Sequence, residues 1–234
     1  MRQPFIIATA FAAAGLAASL AATAHADPDH IEVSLGASAR ALRSPSANAL
    51  TDRNLDGAAL GVAREIVRNL GGDLGVDSGP GALAGLSLWA EAGVITSTAT
   101  GTMFQSLSTS IEGVAITGGL GARYRLHRVV GLDLHAGLGA QRARVAISDA
   151  TATAYDHAWG LLAAASAGID IFAVRRPFGL GARLEAGYAL AQGIALTPHT
   201  DQPGDARPLA MTAAGLGRLD LSGPSASLSM FAQF

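Results

Sequence analysis

The chain has 234 residues, half of them hydrophobic, with 15% charged and 5% aromatic side chains, no cysteine and a formal net charge of −2. Its mean hydropathy is +0.33. Together these exclude a disulfide-stapled mini-protein, a cysteine-based zinc site and a disordered chain, and since all 16 basic side chains are arginines that form no block, they argue against nucleic-acid binding.

The first segment reads as an address. Arg2 supplies a positive start, Phe5 to Ala24 is uncharged, and Ala24-His25-Ala26 forms an A-x-A cleavage pattern before Asp27-Pro28-Asp29. Residues 1–26 are expected to be a cleaved signal peptide and 27–234 one β-barrel domain. The alternative is a retained membrane helix, because the uncharged run is about long enough to span.

From residue 30 onward the apolar residues alternate, the period of a strand. Ile31, Val33, Leu35, Ala37 and Ala39 oppose Glu32, Ser34, Gly36, Ser38 and Arg40. Around 57–69 the pattern weakens: Leu60, Val62 and Ile66 oppose Gly61, Ala63 and Glu65, but Arg64 falls on the apolar face. A bulge, a shift or partial helix is expected there. Leu86, Leu88, Ala90, Ala92 and Val94 oppose Ser87, Trp89, Glu91 and Gly93. Val114, Ile116, Leu120, Ala122, Tyr124 and Leu126 alternate with Gly119, Gly121, Arg123 and Arg125; Val130, Leu132, Leu134, Ala136 and Leu138 alternate with Asp133, His135, Gly137 and Gly139. Trp159, Leu161 and Ala163 through Ile171 oppose Gly160, Ser166, Gly168 and Asp170. Phe178 through Tyr188 oppose Gly179, Gly181, Arg183, Glu185 and Gly187, and Ala226 through Phe234 close the series. Eight strands result. Tight links are expected at His127-Arg128 and Arg175-Arg176-Pro177, a longer Gly-rich connection near 70–81, and long polar loops near 41–56, 97–111, 148–157 and 196–218. Short turns at one end and long loops at the other would be the layout of an outer-membrane barrel.

Alternation alone also fits a soluble barrel with its faces exchanged. The polar face decides the matter. A solvated exterior carries dense charge of both signs, whereas this face is mostly Gly, Ser, Thr and Ala with isolated charges, residues that fit the interior of a small barrel. The aliphatic face suits lipid, where closure leaves no unpaired backbone. The expected fold is therefore an all-β, eight-stranded, antiparallel up-and-down transmembrane β-barrel. Phe178 and Tyr188 share a face ten positions apart, about 25 Å along the membrane normal at a tilt of roughly 40°. With Tyr124, Trp159 and Phe234 they would form aromatic girdles; ordinary strand aromatics are the plainer reading.

By its signal end Ala24-His25-Ala26, its paired strands around Tyr124–Leu132 and its C-terminal Leu228-Ser229-Met230-Phe231-Ala232-Gln233-Phe234, the chain resembles the small eight-stranded outer-membrane barrels of Gram-negative bacteria, the OmpA/OmpX/OmpW-like class. That resemblance implies export to the outer membrane, contact with its lipid and lipopolysaccharide, recognition of the terminal Phe234 by the barrel-assembly machinery, and a monomer. It implies no cofactor.

Inside such a barrel Glu32, Glu65, Glu91, Arg123, Arg125, Asp133, His135, Asp170, Arg183 and Glu185 would lie together. They read either as a self-neutralising ion-pair network, since buried charges must be paired, or as the lining of a narrow pore. Arg142 and Arg144 continue the lipid-facing register beyond the apolar stretch and are candidates for lipopolysaccharide phosphates, against the plainer reading of a solvated strand extension. No nucleophile, metal or nucleotide motif is present; Asp156-His157 near Ser148 is the one conceivable catalytic cluster. The expected role is non-enzymatic, in envelope structure or surface interaction. A narrow channel for small or hydrophobic molecules, and a soluble periplasmic ligand-binding barrel, are the alternatives.

Overall fold

A computed structural model describes residues 31–51, 53–68, 85–104, 106–149, 153–174, 178–198 and 217–234. The expected signal peptide, the Arg175–Pro177 turn, the Gly-rich link near 70–81 and much of the loop after 196 lie outside the described residues.

The strands are β1 (Ile31–Ala41), β2 (Asn54–Val67), β3 (Leu86–Met103), β4 (Leu107–His127), β5 (Val130–Ser148), β6 (Thr153–Val174), β7 (Gly179–Ala191), a two-residue pair β8 (Ile194–Ala195) and β9 (Arg218–Leu219), and β10 (Gly223–Gln233); a short helix α1 spans Pro45–Leu50. Eight of them close a ring in the order β1-β10-β7-β6-β5-β4-β3-β2, every neighbouring pair antiparallel. Ile31 and Phe234 exchange both backbone hydrogen bonds, at 3.2 and 2.9 Å, so β1 and β10 seal the ring. No unpaired sheet edge remains in the ring.

The register sets the shape. Followed once around, Leu55 pairs with Arg40, then Ser225, Gly187, Ser166, His135, Gly121, Trp89 and finally Glu65, so one circuit returns to β2 ten residues further along. Eight strands with that stagger tilt by about 40° and enclose a backbone radius of about 8 Å. Each residue then advances about 2.5 Å along the axis.

Leu132, Leu184 and Leu228 are 41%, 59% and 59% exposed and face outward, while Asp133 is 1% exposed and faces the lumen. The outward row Leu35, Leu60, Val94, Ile116, Leu138 and Leu161 continues the same face around the ring. Apolar belt outside and ions inside is thus the observed arrangement. The stretch read as weak near 57–69 is strand, with a register shift between Glu65 and Val67 opposite Leu88 and Trp89. Arg64 is outward and exposed there.

Two expected loops are largely strand. β3 continues to Met103 and β4 begins at Leu107, and β6 begins at Thr153. The reason is an inversion of the pattern. Beyond the belt the outward side turns polar (Thr96, Thr98, Thr100, Thr102, Ser108, Ser110), while Ala99, Ile111, Ala143, Val145 and Ile147 turn inward and are buried. The two-residue period persists, but its apolar side has changed face. The connections consequently do not sort into short at one end and long at the other: 104–106 and 149–152 are short at the end away from the termini, and 68–85 is long at the termini end.

Those inverted residues fill the far mouth of the barrel. Leu42, Ala47, Leu50, Leu55, Ile194, Leu196, Leu219 and Leu221 pack on them in one buried apolar cluster. α1 starts at Ser44, whose hydroxyl accepts from Ala47 N at 3.5 Å, with Pro45 in its first turn. Thr109 of β4 donates to the Leu50 carbonyl and fastens the helix to the wall. Ser222 bonds the Ala191 backbone at 2.9 and 3.3 Å and fastens the other side.

Candidate functional site

The lumen has three tiers, and alternation places each. Nearest the termini, inward positions of six strands meet in one ionic cluster. Arg123 (β4) donates to Glu32 at 2.6 and 3.0 Å and to Glu91 at 3.2 Å, and lies 3.1 Å from Asp133. Arg183 (β7) donates to Asp170 at 2.6 and 3.1 Å and pairs with Glu32 and Asp133, each at 3.0 Å. His135 (β5) meets Glu91 through Nδ1, and Asp133 and Glu185 through Nε2 at 2.9 and 3.1 Å. Five carboxylates therefore share two guanidinium groups and one imidazole. Hydroxyls and an amide complete the shell: Ser227 donates to Glu185 at 2.7 Å, Ser166 at 3.4 Å, and Gln233 donates to Glu32 at 2.9 Å. Charges this buried persist only when they are paired and hydrogen-bonded.

Eight of the ten residues assigned to the lumen from sequence are brought together here. Glu65 and Arg125 are not. Glu65 pairs instead with Arg68 at 2.9 Å, beyond the bulge. Arg125 is exposed close to the termini end of β4. Both are inward by parity, but the Glu65 carboxylate is taken by Arg68 and Arg125 is left exposed at the end of its strand. Sequence reasoning assigned no role to Trp89 and Phe231. Arg123 stacks over Trp89 at 4.0 Å and Arg183 over Phe231 at 5.1 Å, and Phe231 meets Phe172 edge-on at 5.1 Å. Aromatic residues at inward parity beside arginine positions were the available signal.

Above the cluster lies a chamber of about 260 Å³ walled by Gly, Ala, Ser and Thr, among them Ser38, Gly93, Thr117, Gly137 and Ser225. Small side chains leave this space because Gly and Ser cannot fill the radius that the stagger sets. Its ceiling is Arg40, which reaches across to Gln141 on the opposite strand at 3.3 Å and to the Leu221 carbonyl at 3.3 Å. The apolar plug rests on that crossbar. The chamber thus lies between the ionic cluster at one end and side chains of α1, β9 and their flanks at the other.

The remaining expected sites lie on the outside. Tyr124, Trp159, Phe178, Tyr188 and Phe234 all face outward; by register Tyr124, Phe178 and Phe234 stand toward the termini end, Tyr188 and Trp159 toward the far end. Arg142 and Arg144 face outward beyond the belt. Arg144 pairs with Glu112 at 3.4 Å and stacks on Tyr155 at 5.0 Å. The conceivable catalytic cluster is not assembled. Asp156 accepts from the backbone of His157 and Thr197 at 2.7 and 2.8 Å, and Ser148 shares a hydrogen bond with Thr153 at 3.0 Å. Among the described residues no group of three or more His, Cys, Asp or Glu could hold a metal.

No protein-family model and no curated protein matches the chain. Solved barrels do. The attachment invasion locus protein Ail of Yersinia pestis aligns at 12% identity over 88% of this chain and 98% of its own, with a TM-score of 0.45. Neisserial surface protein A aligns at 12% identity over 88% and 96%, TM-score 0.43. The translocator domain of the autotransporter NalP from Neisseria meningitidis aligns at 9% identity over 98% and 96%, TM-score 0.41. The ring topology described above rests on this chain's own strand pairing.

Proposed function

We propose that this protein is an outer-membrane β-barrel with a non-enzymatic role in envelope structure or surface interaction. The observation that carries the reading is the closed ring with a predominantly aliphatic belt outside, broken by Arg64, and an ionic cluster enclosed within. In water, a belt holding Leu120, Leu134, Leu138, Leu184 and Met230 at 59–74% exposure far exceeds the apolar patch of a soluble monomer. In acyl chains it is the stable surface, since the ring closes on itself and leaves no free strand edge. Export by residues 1–26 and recognition of Phe234 by the assembly machinery belong to the same reading.

The ionic cluster toward one end of the lumen and the apolar plug toward the other favour the structural role over a channel. A conducting path would have to break the Arg123–Arg183 network and lift the apolar plug together. The test is fractionation of cells expressing the full chain, followed by gel mobility with and without boiling. The reading predicts alkali-resistant membrane association and faster migration before boiling. A carbonate-soluble protein with a single mobility would overturn it and favour a soluble ligand-binding barrel.

A further inference from the structure

The chamber between the ionic cluster and the plug carries unmatched charge at both ends. Its floor sets five carboxylates against two guanidinium groups and one imidazole, so an excess of two negative charges remains even with His135 protonated. Buried charge of this kind calls for a counter-charge. The excess sits toward the chamber. Glu32, Asp133 and Asp170 are 0–3% exposed, whereas Glu91 and Glu185 are 21% and 20% exposed and line the space, with His135 between them. Among the described residues no group of three His, Asp or Glu could hold a metal, so the floor suits a cation that donates hydrogen bonds.

The ceiling has the opposite sign. Arg40 lines the chamber, and its partners are both neutral oxygens, those of the Gln141 amide and the Leu221 carbonyl. Among the described residues no carboxylate lies within ion-pair distance of it. Both bonds leave from Nη1, so Nε and Nη2 keep their donors for a carboxylate.

The register fixes the span. Arg40 lies on one cross-strand row with Ser225 and Gly187, and Glu185 is two residues nearer the termini. Each strand crossing descends about 3 Å and each residue about 2.5 Å along the axis, so Arg40 and Glu185 start about 11 Å apart. Glu91, counted the same way, lies about 14 Å from Arg40. With about 3 Å for a hydrogen bond at each end, a molecule spanning them has its opposite charges roughly 5–8 Å apart. Between the ends, the hydroxyls of Ser38, Thr117 and Ser225 share the wall with Ala115, Leu162 and Ala189, a mixed lining suited to a short polar chain.

We propose that this chamber binds a small zwitterion of that span, a dipeptide or an ω-amino acid, with its ammonium on Glu91 and Glu185 and its carboxylate on Arg40. The inference rests on the lumen alone and stands whether acyl chains or water surround the belt.

The test refolds the full-length barrel from urea into detergent with each probe present, so that the plug does not limit entry, and follows binding by native mass spectrometry. The zwitterions are 5-aminopentanoate and alanyl-alanine, whose relative affinities separate the two sources. The controls are 5-aminopentanamide, which lacks the carboxylate, and N-acetyl-5-aminopentanoate, which lacks the ammonium. One zwitterion or both should form a 1:1 complex roughly tenfold tighter than either control, because a hydrogen-bonded charge pair is lost in each control. Arg40→Gln should bind the zwitterion no better than 5-aminopentanamide, and Arg40→Lys should keep part of the preference. All three proteins must migrate faster before boiling, which separates loss of the site from loss of the barrel. No complex with either zwitterion, equal binding of zwitterions and controls by wild type, or a preference unchanged in Arg40→Gln would overturn the proposal.

Discussion

Arg183→Met isolates the ionic floor. The methionine keeps most of the side-chain volume beside Phe231 but removes the group that serves Asp170, Glu32 and Asp133 at 2.6–3.0 Å. The side chain is 5% exposed, and its three carboxylates are 0–3% exposed, so the pairing is made largely away from water. Glu32 and Asp133 retain Arg123, and the main orphan is Asp170. Removing one partner of a buried pair costs about 3–5 kcal/mol. With a urea slope of about 2 kcal/mol per M, the unfolding midpoint in micelles should fall by about 2 M. Trp89 sits inside the barrel against Arg123, so tryptophan emission follows the transition. Asp170→Asn on the same background removes the orphaned charge and should restore part of the loss, a coupling of about 0.5–3 kcal/mol. A midpoint for Arg183→Met within about 0.3 M of wild type would refute the reasoning, because it would mean that the cluster is hydrated and its pairing immaterial.

Other consequences follow from the belt, the wall and the plug. Leu138→Arg places a charge on the outward side, where Leu138 is 72% exposed; a cost of about 2–4 kcal/mol is expected near the bilayer midplane, and refolding yield into vesicles indistinguishable from wild type would count against a lipid-facing belt. Gly57→Ala forces a Cβ to within 1.8 Å of the Thr96 carbonyl oxygen, a backbone atom that can yield only if the β2–β3 pairing shifts; a loss of about 1–3 kcal/mol should appear in the same urea titration. Leu50→Ser with Leu221→Ser exchanges two side chains at 3% and 0% exposure for hydroxyls. Wild type should give a flat planar-bilayer trace and the double variant discrete openings; sustained wild-type conductance would refute the plug as a seal.

Much of this was legible in the sequence, because one face of every strand repeats the same chemistry over the belt. Leu132, Leu184 and Leu228 announce the outside, and Asp133, Arg183 and Glu185 the inside, through parity alone. Parity could not say how far along the axis each inward charge stands. That depends on the stagger between strands, which is why Arg125 was grouped with charges it does not meet; Glu65 stands beside Trp89 but is taken by Arg68, a partner that parity does not reveal. The far ends of β3–β6 were hidden for a different reason. There Thr96–Thr102 and Val145–Ile147 keep the alternation but exchange the faces, because the wall has left the belt and the lumen is filled by α1 and the segments around β8 and β9. The plug itself depends on contacts between residues as distant as Leu50, Val145 and Leu221, which no local period encodes.

The central claim is the direction of the two faces, and brominated lipids test it directly. Tryptophan placed singly at Leu184 and Leu228, in a background with Trp159 replaced by phenylalanine and Trp89 left as the internal reference, should be quenched strongly by bromine at mid-chain. Tryptophan at Ser225, on the lumen face, should be quenched no more than Trp89. Strong quenching at Ser225 with none at Leu184 and Leu228 would turn the barrel inside out and contradict the account.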